Sequence, residues 1–372
     1  MLNIKKIIFF IPNIEQGGIE KNFLILTKFF ANKNYNVEVL YSKISKDILS
    51  KIDRRITLKK SQNYIKIFNF IFSIRVINSI NCFIYFIFKL KKKKNSIIFS
   101  MQDHPFAIML SKIKKLNSII RIANHPNSSL KFFNNKISFY IKLFIKIFFY
   151  RFANGIICNS KSSALFLKKI INNNIETIYN PILLKKKIKN KKRQNILLSV
   201  GRLEKQKNFE GLINAFNIVL HKFPKYKLMI IGSGSQKNIL KKKITQLQIS
   251  NKVIFKSFTK PDSFFLTSKI FILNSFFEGM PNVILESLSY KCPVISANCE
   301  SGPREILKNG KYGYLVPINK PELLARKIKF TLNNYKKAKS KANKAFLYLK
   351  EFSHKKQCEK YERFVNKFYN TK

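Results

Sequence analysis

Short apolar runs recur along the chain, separated by longer stretches in which apolar positions return every three or four residues. Residues 4–11, 36–41, 96–100, 118–123, 155–158 and 176–179 read as buried strands. A strand covered on both faces is apolar at consecutive positions, whereas a half-exposed one alternates. Near Asn180-Pro181 the rhythm breaks, and residues 185–193 read KKKIKNKKR, with almost no apolar content. It then restarts more cleanly. Residues 195–200, 227–231, 252–256, 269–273, 292–296 and 312–316 are predicted strands, and 208–221, 236–248, 281–290 and 321–332 are predicted helices. The tail, 335–369, reads as mostly helical. Strands alternating with helices predict βαβ units and parallel sheets. Two such halves predict two facing, doubly wound α/β domains with a cleft between them. The expected layout is 1–184, a basic linker 185–194, a second domain 195–350, and a C-terminal helix 351–372 packing back on the first. In such folds ligands bind outside the carboxyl ends of the strands.

Composition narrows the class. The 372 residues are 46% hydrophobic and 14% aromatic, with 11 Gly and 11 Pro. That suits two domains with real cores and excludes disordered or collagen-like chains. The net charge of +54 comes from 62 Lys but only ten Arg. Asn, Ile and Phe are also abundant and Trp is absent. The over-used residues share A/T-rich codons, so much of the excess reads as genome composition. Selection for phosphate binding favours Arg, whose planar fork grips oxyanions in pairs. The surface is nevertheless strongly positive and attracts anionic lipid, nucleic acid or nucleotide.

The five Cys (82, 158, 292, 299, 358) form no C-x-x-C, and the four His (104, 125, 221, 354) no H-E-x-x-H. A disulfide framework or zinc ribbon is not expected, and a reducing cytosol fits best. The four Asp (47, 53, 103, 262) make no D-x-D. Metal-held nucleotide-sugar chemistry often uses such a pair. Lys5-Lys6 followed by 7–11 is too short an apolar run for a signal peptide, and no run reaches the ~20 apolar residues of a transmembrane helix.

Candidate chemistry gathers where predicted strands end. Gly201-Arg202-Leu203-Glu204-Lys205-Gln206-Lys207-Asn208 closes one strand and opens a helix that Asn208 can cap. Arg202 and Lys207 therefore stand at a sheet's carboxyl edge beside a helix N-terminus, a place that suits a diphosphate. Glu278 follows the expected strand 269–273, and Glu286 lies about one turn inside the helix that Pro281 opens. Both carboxylates can face one cleft and accept hydroxyl hydrogens of a sugar or ribose. With only 18 acidic residues in the chain, this spacing stands out. Gly17-Gly18-Ile19-Glu20 opens the first helix, and Gly232-Ser233-Gly234 follows another strand; glycines there let backbone approach a ligand closely. Ser301-Gly302-Pro303-Arg304-Glu305 is a small-residue loop opening a further helix. His104 and His125 each follow a strand, where an imidazole can bond a substrate. Each motif has a plain structural alternative: a surface cation, a capping group, a turn or a satisfied core His.

Together these residues resemble glycosyltransferase family 4, a retaining family of GT-B type with two facing Rossmann-like domains. The likeness spans nearly the whole chain and is strongest over 195–332, where the 201–208 run, the Glu278-x7-Glu286 pair and 301–307 with 312–317 stand in the family's order. The resemblance implies that Arg202 and Lys207 hold the donor diphosphate, Glu278 contacts the donor sugar and Glu286 the ribose. It implies that Gly302, Pro303, Arg304 and Glu305 present backbone N–H groups to sugar and phosphate. Gly17 and Gly18 would approach the phosphate, His104 would lie near the sugar, and the loops holding Gly232, Gly234 and residues 256–258 would bound the base. Ser257 stands where the family often has Gly.

The reaction implied is retaining transfer of a hexose or N-acetylhexosamine from a nucleotide sugar, weighted toward UDP, to a lipid-linked oligosaccharide or surface polysaccharide. No cofactor or obligatory metal is implied. The apolar, basic stretches 64–94 and 131–152 suit docking on an anionic membrane surface, so a cytoplasmic enzyme peripheral to the inner face of the plasma membrane is expected. A sugar-nucleotide epimerase or phosphorylase of similar architecture is one alternative. A basic nucleic-acid-binding protein is another, but the basic residues are dispersed and no recognised module is present, so no nucleic-acid partner is expected.

Overall fold

The structure is a computed structural model that describes residues 5–15, 17–64, 73–91, 95–127, 136–184, 191–257, 259 and 261–369. Its contacts divide the chain into two units: Met1–Pro181 with His354–Lys372, and Ile182–Ser353. The sequence reading set these boundaries at 184 and 350. Residues 185–190 of the expected linker lie outside the described residues.

The first unit is built on β1 (Lys6–Phe10), β2 (Asn36–Tyr41), β3 (Thr57–Lys60), β4 (Ser96–Ser100), β5 (Asn117–Ile122), β6 (Gly155–Cys158) and β7 (Asn174–Thr177). All pair in parallel, in the order β3-β2-β1-β4-β5-β6-β7. Alternate side chains of β1 feed two cores. Ile7 and Phe9 pack with Phe23 and Phe30 of the helix Gly18–Asn32, while Ile8 and Phe10 pack with Cys82 and Phe86 of the helix Ile74–Lys89. That two-sided burial is why the strand reads as a continuous apolar run.

The C-terminal helix His354–Asn366 belongs to this unit. Tyr361 and Phe364 join the Phe9 core, and Tyr361 Oη accepts a 2.9 Å bond from the buried Arg121. A Cβ on Gly155 would lie 2.8 Å from the rings of Phe364 and Phe368, so a glycine on β6 lets this segment settle onto the sheet.

The second unit has β8 (Gln194–Val200), β9 (Lys227–Ile231), β10 (Val253–Lys256), β11 (Ser268–Leu273), β12 (Val294–Ala297) and β13 (Tyr314–Val316). They form a parallel sheet in the order β10-β9-β8-β11-β12-β13. Leu197, Leu228, Ile230 and Ile270 pack with the helices Phe209–Leu220 and Pro321–Asn333. Gln194, expected in the linker, already pairs in β8. Arg193 beside it donates to the carbonyls of Phe265, Ser268, Tyr290 and Lys291 at 2.6–2.9 Å, tying this end of the unit together.

Both sheets reverse strand order once near the middle, between β1 and β4 and between β8 and β11. At such a switch point successive connections leave toward opposite faces, and a crevice opens outside the carboxyl ends of the two central strands.

Candidate active site

In the second unit, the chain leaves β8 at Gly201 and β11 at Asn274, so the loops carrying Arg202, Lys207 and Glu278 meet at the switch point. Backbone packing holds them there. A Cβ on Gly232 would fall 1.9 Å from the Gly201 carbonyl oxygen, and one on Gly234 would fall 2.5 Å from that of Leu203. The Gly201 N–H donates to the Ile231 carbonyl (3.0 Å), and the Leu203 N–H to that of Ser233 (2.9 Å). Gly232 and Gly234 thus have a packing reason to be glycine, independent of any base beside them. Glu204 adds a strap, its carboxylate accepting from the Ser235 N–H and hydroxyl at 3.2 and 2.9 Å.

Residues Lys205–Lys207 form one 3-10 turn. Asn208 then takes the left-handed conformation (φ 48°) and its side chain accepts from the Gly211 N–H at 3.1 Å, capping the helix as its sequence suggested. The turn aims Lys207 inward. Its Nζ lies 2.5 Å from Glu278 Oε1, with the two side chains only 15% and 7% exposed. Ser275 Oγ donates to the same oxygen at 2.6 Å, and Ser301 Oγ to the Glu278 carbonyl at 2.5 Å. Gln206 Nε2 donates to the Phe277 carbonyl at 2.9 Å. Glu278 Oε2 has no partner among the described residues.

This redistributes the expected roles. Lys207 and Glu278 were assigned to different parts of one ligand, yet they neutralise each other. The cation left over is Arg202, which is exposed and has no side-chain partner among the described residues.

The next loop closes against this network. Gly302 has φ 78°, and a Cβ there would lie 2.1 Å from the Gly279 carbonyl oxygen. Only glycine fits that approach. Pro303 opens the one-turn helix Pro303–Ile306. Arg304 is exposed and donates through Nε to Asn298 at 3.0 Å, and Glu305 is half-buried. Glu286 lies half-buried in the helix Asn282–Ser289, about one turn inside it.

In the first unit, the ends of β1 and β4 bring Gly17, Gly18 and His104 to the corresponding edge. Gly17 is extended (φ 178°), and a Cβ on it would meet Glu20 Oε2 at 2.6 Å. The carboxylate of Glu20 therefore rests at the head of the helix Gly18–Asn32, where the resemblance implied a phosphate. Burial pushes its pKa up. Gln102 Nε2 stands 3.5 Å from Glu20 Oε1. Asp103 is left-handed (φ 48°) and accepts from Ser79 Oγ at 2.6 Å. His104 bonds Ser100 Oγ through Nδ1 at 2.8 Å and meets Tyr150 edge to face. His125 sits buried against Phe166.

Loss of hydration around the His104 ring, then the charges of Lys146 and Arg121, hold its pKa down at about 3. The imidazole is expected to stay neutral from pH 7 to about 5, so its NMR shifts should not titrate there. Because the unfolded chain binds the proton first, this group withdraws stability as pH falls below its ordinary 6.5. A midpoint near 6.5 in the folded protein would contradict this environment.

Sequence reasoning passed over Ser275, Ser301 and Gln206, and in the first unit Gln102, Asp103 and Ser79 as partners. A lone Ser or Gln carries no periodic or motif signal, because its partner comes from a distant loop. Among the described residues no group of three or more His, Cys, Asp or Glu is placed to hold a metal ion.

Residues 182–347 match the family described as glycosyl transferases group 1. The match takes in nearly the whole unit, including every second-unit candidate above. An uncharacterized glycosyltransferase of Methanocaldococcus jannaschii is 33% identical over 219 residues, 52% of this chain and 53% of that protein. The chain thus spans about half the length of that relative, and likewise of a Haemophilus influenzae one. The amylovoran biosynthesis glycosyltransferase AmsD of Erwinia amylovora is 27% identical over 84% of this chain and 85% of its own. A Campylobacter jejuni protein named N-acetylgalactosamine-N,N'-diacetylbacillosaminyl-diphospho-undecaprenol 4-alpha-N-acetylgalactosaminyltransferase is 30% identical over 60% of this chain and 63% of its own. Among solved structures, Anabaena HepE in complex with UDP-glucose superposes with a TM-score of 0.79 at 18% identity, over 97% of this chain and 99% of that one. That likeness extends the shared fold over both units: two Rossmann-like domains of GT-B type.

Proposed function

We propose that this chain is a retaining glycosyltransferase of family 4 type. It moves a hexose or N-acetylhexosamine from a UDP-sugar to a lipid-linked oligosaccharide or surface polysaccharide, and it works peripherally at the inner face of the plasma membrane. The observation that carries the reading is Arg202 at the second unit's switch point, exposed and without a side-chain partner among the described residues, set beside the Lys207–Glu278 pair whose charges offset each other. A donor diphosphate there meets one fork of uncompensated positive charge, placed where negative charge grows as the sugar–phosphate bond breaks. Glu278 Oε2 is left to accept from a sugar hydroxyl, and the family resemblance assigns Glu286 to the ribose.

In retaining transfer the acceptor oxygen bonds the anomeric carbon on the face the diphosphate leaves. The bond to the diphosphate breaks, and the acceptor proton passes to a diphosphate oxygen. This chemistry asks the protein for positioning and for stabilisation of the leaving group, roles that side-chain cations fill without an obligatory metal. The names of the Erwinia and Campylobacter relatives support a polysaccharide or diphospho-undecaprenol-linked acceptor, and the HepE complex supports a UDP donor.

A thermal-shift panel of UDP-, GDP- and ADP-sugars tests the donor reading. A donor at 100 times its Kd stabilises the folded state by ~2.7 kcal/mol. A shift with UDP-sugars alone is expected. No shift with any donor, in a sample that melts cooperatively, would end the transferase reading.

A further inference from the structure

One side of the helix Lys136–Tyr150 of the first unit is exposed and apolar. Ile137, Tyr140, Ile141, Phe144, Ile145 and Phe148 are all exposed, Ile137 to 71% and Phe144 to 69%. At 100° per residue they fall within an arc of about 140°. Single exposed apolar residues are ordinary, but a contiguous large apolar face marks a docking surface. The patch continues past the helix to Phe152, which is 45% exposed. Phe152 also lines a recess of about 250 Å³ with Phe83, Met109, Ile113 and Phe149.

Charge decides what covers this face. The sequence holds no Asp or Glu from residue 104 to residue 175. Arg151 stands exposed beside the apolar arc, and Lys142 stands exposed about 60° beyond its edge. Lys112, on the neighbouring helix His104–Ile113, lines the recess. A second copy of a chain with a net charge of +54 would bring like charges together at this surface. An anionic bilayer supplies both an apolar interior and negative headgroups.

We propose that the outer face of the helix Lys136–Tyr150 inserts into an anionic lipid bilayer, apolar side chains entering the acyl boundary and the surrounding cations meeting headgroups. This deepens the peripheral-membrane part of the proposed function and rests on it. The helix also ties the membrane to the first unit's ligand edge, because Lys146 lies close enough to act electrostatically on Asp103 and His104. A lipid-linked acceptor held at the bilayer then presents its headgroup beside that corner, which names the lipid-linked acceptor over a free polysaccharide.

Vesicle sedimentation of the full chain tests this, with phosphatidylglycerol–phosphatidylcholine vesicles against phosphatidylcholine alone. Tight binding to the anionic vesicles is expected, with the triple variant Ile141→Ser/Phe144→Ser/Phe148→Ser weakened at least about 100-fold from lost apolar burial. Lys142→Glu/Arg151→Glu should weaken it about 10-fold or more. The UDP-sugar shift of the triple variant, matched to the unaltered chain, reports that it folds. Should it not fold, Phe144→Trp serves, since the chain has no other Trp. Its fluorescence should move to the blue on anionic vesicles. Unchanged binding by the triple variant, no blue shift, or a dimer that the triple variant abolishes would overturn the proposal. Vesicle binding without any donor shift would sink the transferase reading and leave the docking face standing.

Discussion

Replacing Arg202 by alanine is expected to lower the transfer rate by about 10²–10³-fold, the usual loss when one preorganised charge-stabilising donor is removed. The melting temperature should not move, because Arg202 is exposed and holds no other described side chain. The contrast between a large kinetic effect and none on stability separates a ligand contact from a structural cation. Arg202→Lys should recover only part of the rate, since a point charge replaces a two-pronged donor. Initial rates of acceptor-dependent nucleotide release, read beside a melting curve, check both claims. An Arg202→Ala protein that transfers at the original rate would remove the central residue from the mechanism.

Replacing Lys207 by methionine should do the reverse and attack the fold first. Glu278 is 7% exposed at its side chain, and its Oε1 is held by Lys207 and Ser275. Removing one partner of a buried pair strands the other charge, at a cost of about 3–5 kcal/mol. Loops after β8, β11 and β12 meet at this point, so the loss spreads to the Gly302 turn through the Ser301 bond to the Glu278 carbonyl. The double variant Lys207→Met/Glu278→Gln should regain much of the stability, because no buried charge is then unpaired. Urea denaturation of the single and double variants measures this. If Lys207→Met unfolds at the same urea midpoint as the unaltered chain, the pair is not buried in solution.

The strands that could be read most sharply were the interior ones. Residues 36–41, 96–100, 155–158 and 227–231 form strands with the expected bounds. Each is covered on both faces, so burial writes a continuous apolar run into the sequence. Edge strands carry no such mark. Thr57–Lys60, at one end of the first sheet, reads TLKK with both termini exposed, and it was not expected. Asn174–Thr177, at the other end, begins two residues before the expected 176. Strand β12 starts at Val294, after Pro293, and not at 292. Proline has no N–H to give a sheet ladder.

The candidate site was legible as a set of positions and illegible as a set of bonds. Gly201, Arg202, Lys207, Glu278 and Gly302 follow strand ends in the sequence, and strand ends are where a parallel sheet gathers ligand groups. Nothing local reveals that Lys207 and Glu278, 71 residues apart, share a charge-assisted hydrogen bond. Nor does anything local show that Gly232 makes room for the Gly201 carbonyl, or that Glu20 settles against Gly17.

By itself, then, the sequence determined the two doubly wound α/β halves, the Asn208 cap and the short list of groups at the sheet edges. These follow from periodicities and turn chemistry that act over a few residues. Only the tertiary structure decided which cations are spent inside the protein and which remain for a ligand. It alone also showed that the apolar outer side of Lys136–Tyr150 is exposed, with no cover among the described residues. Pairing and exposure depend on which distant segments are brought together, and a side chain's neighbours across the fold leave no trace in its neighbours along the chain.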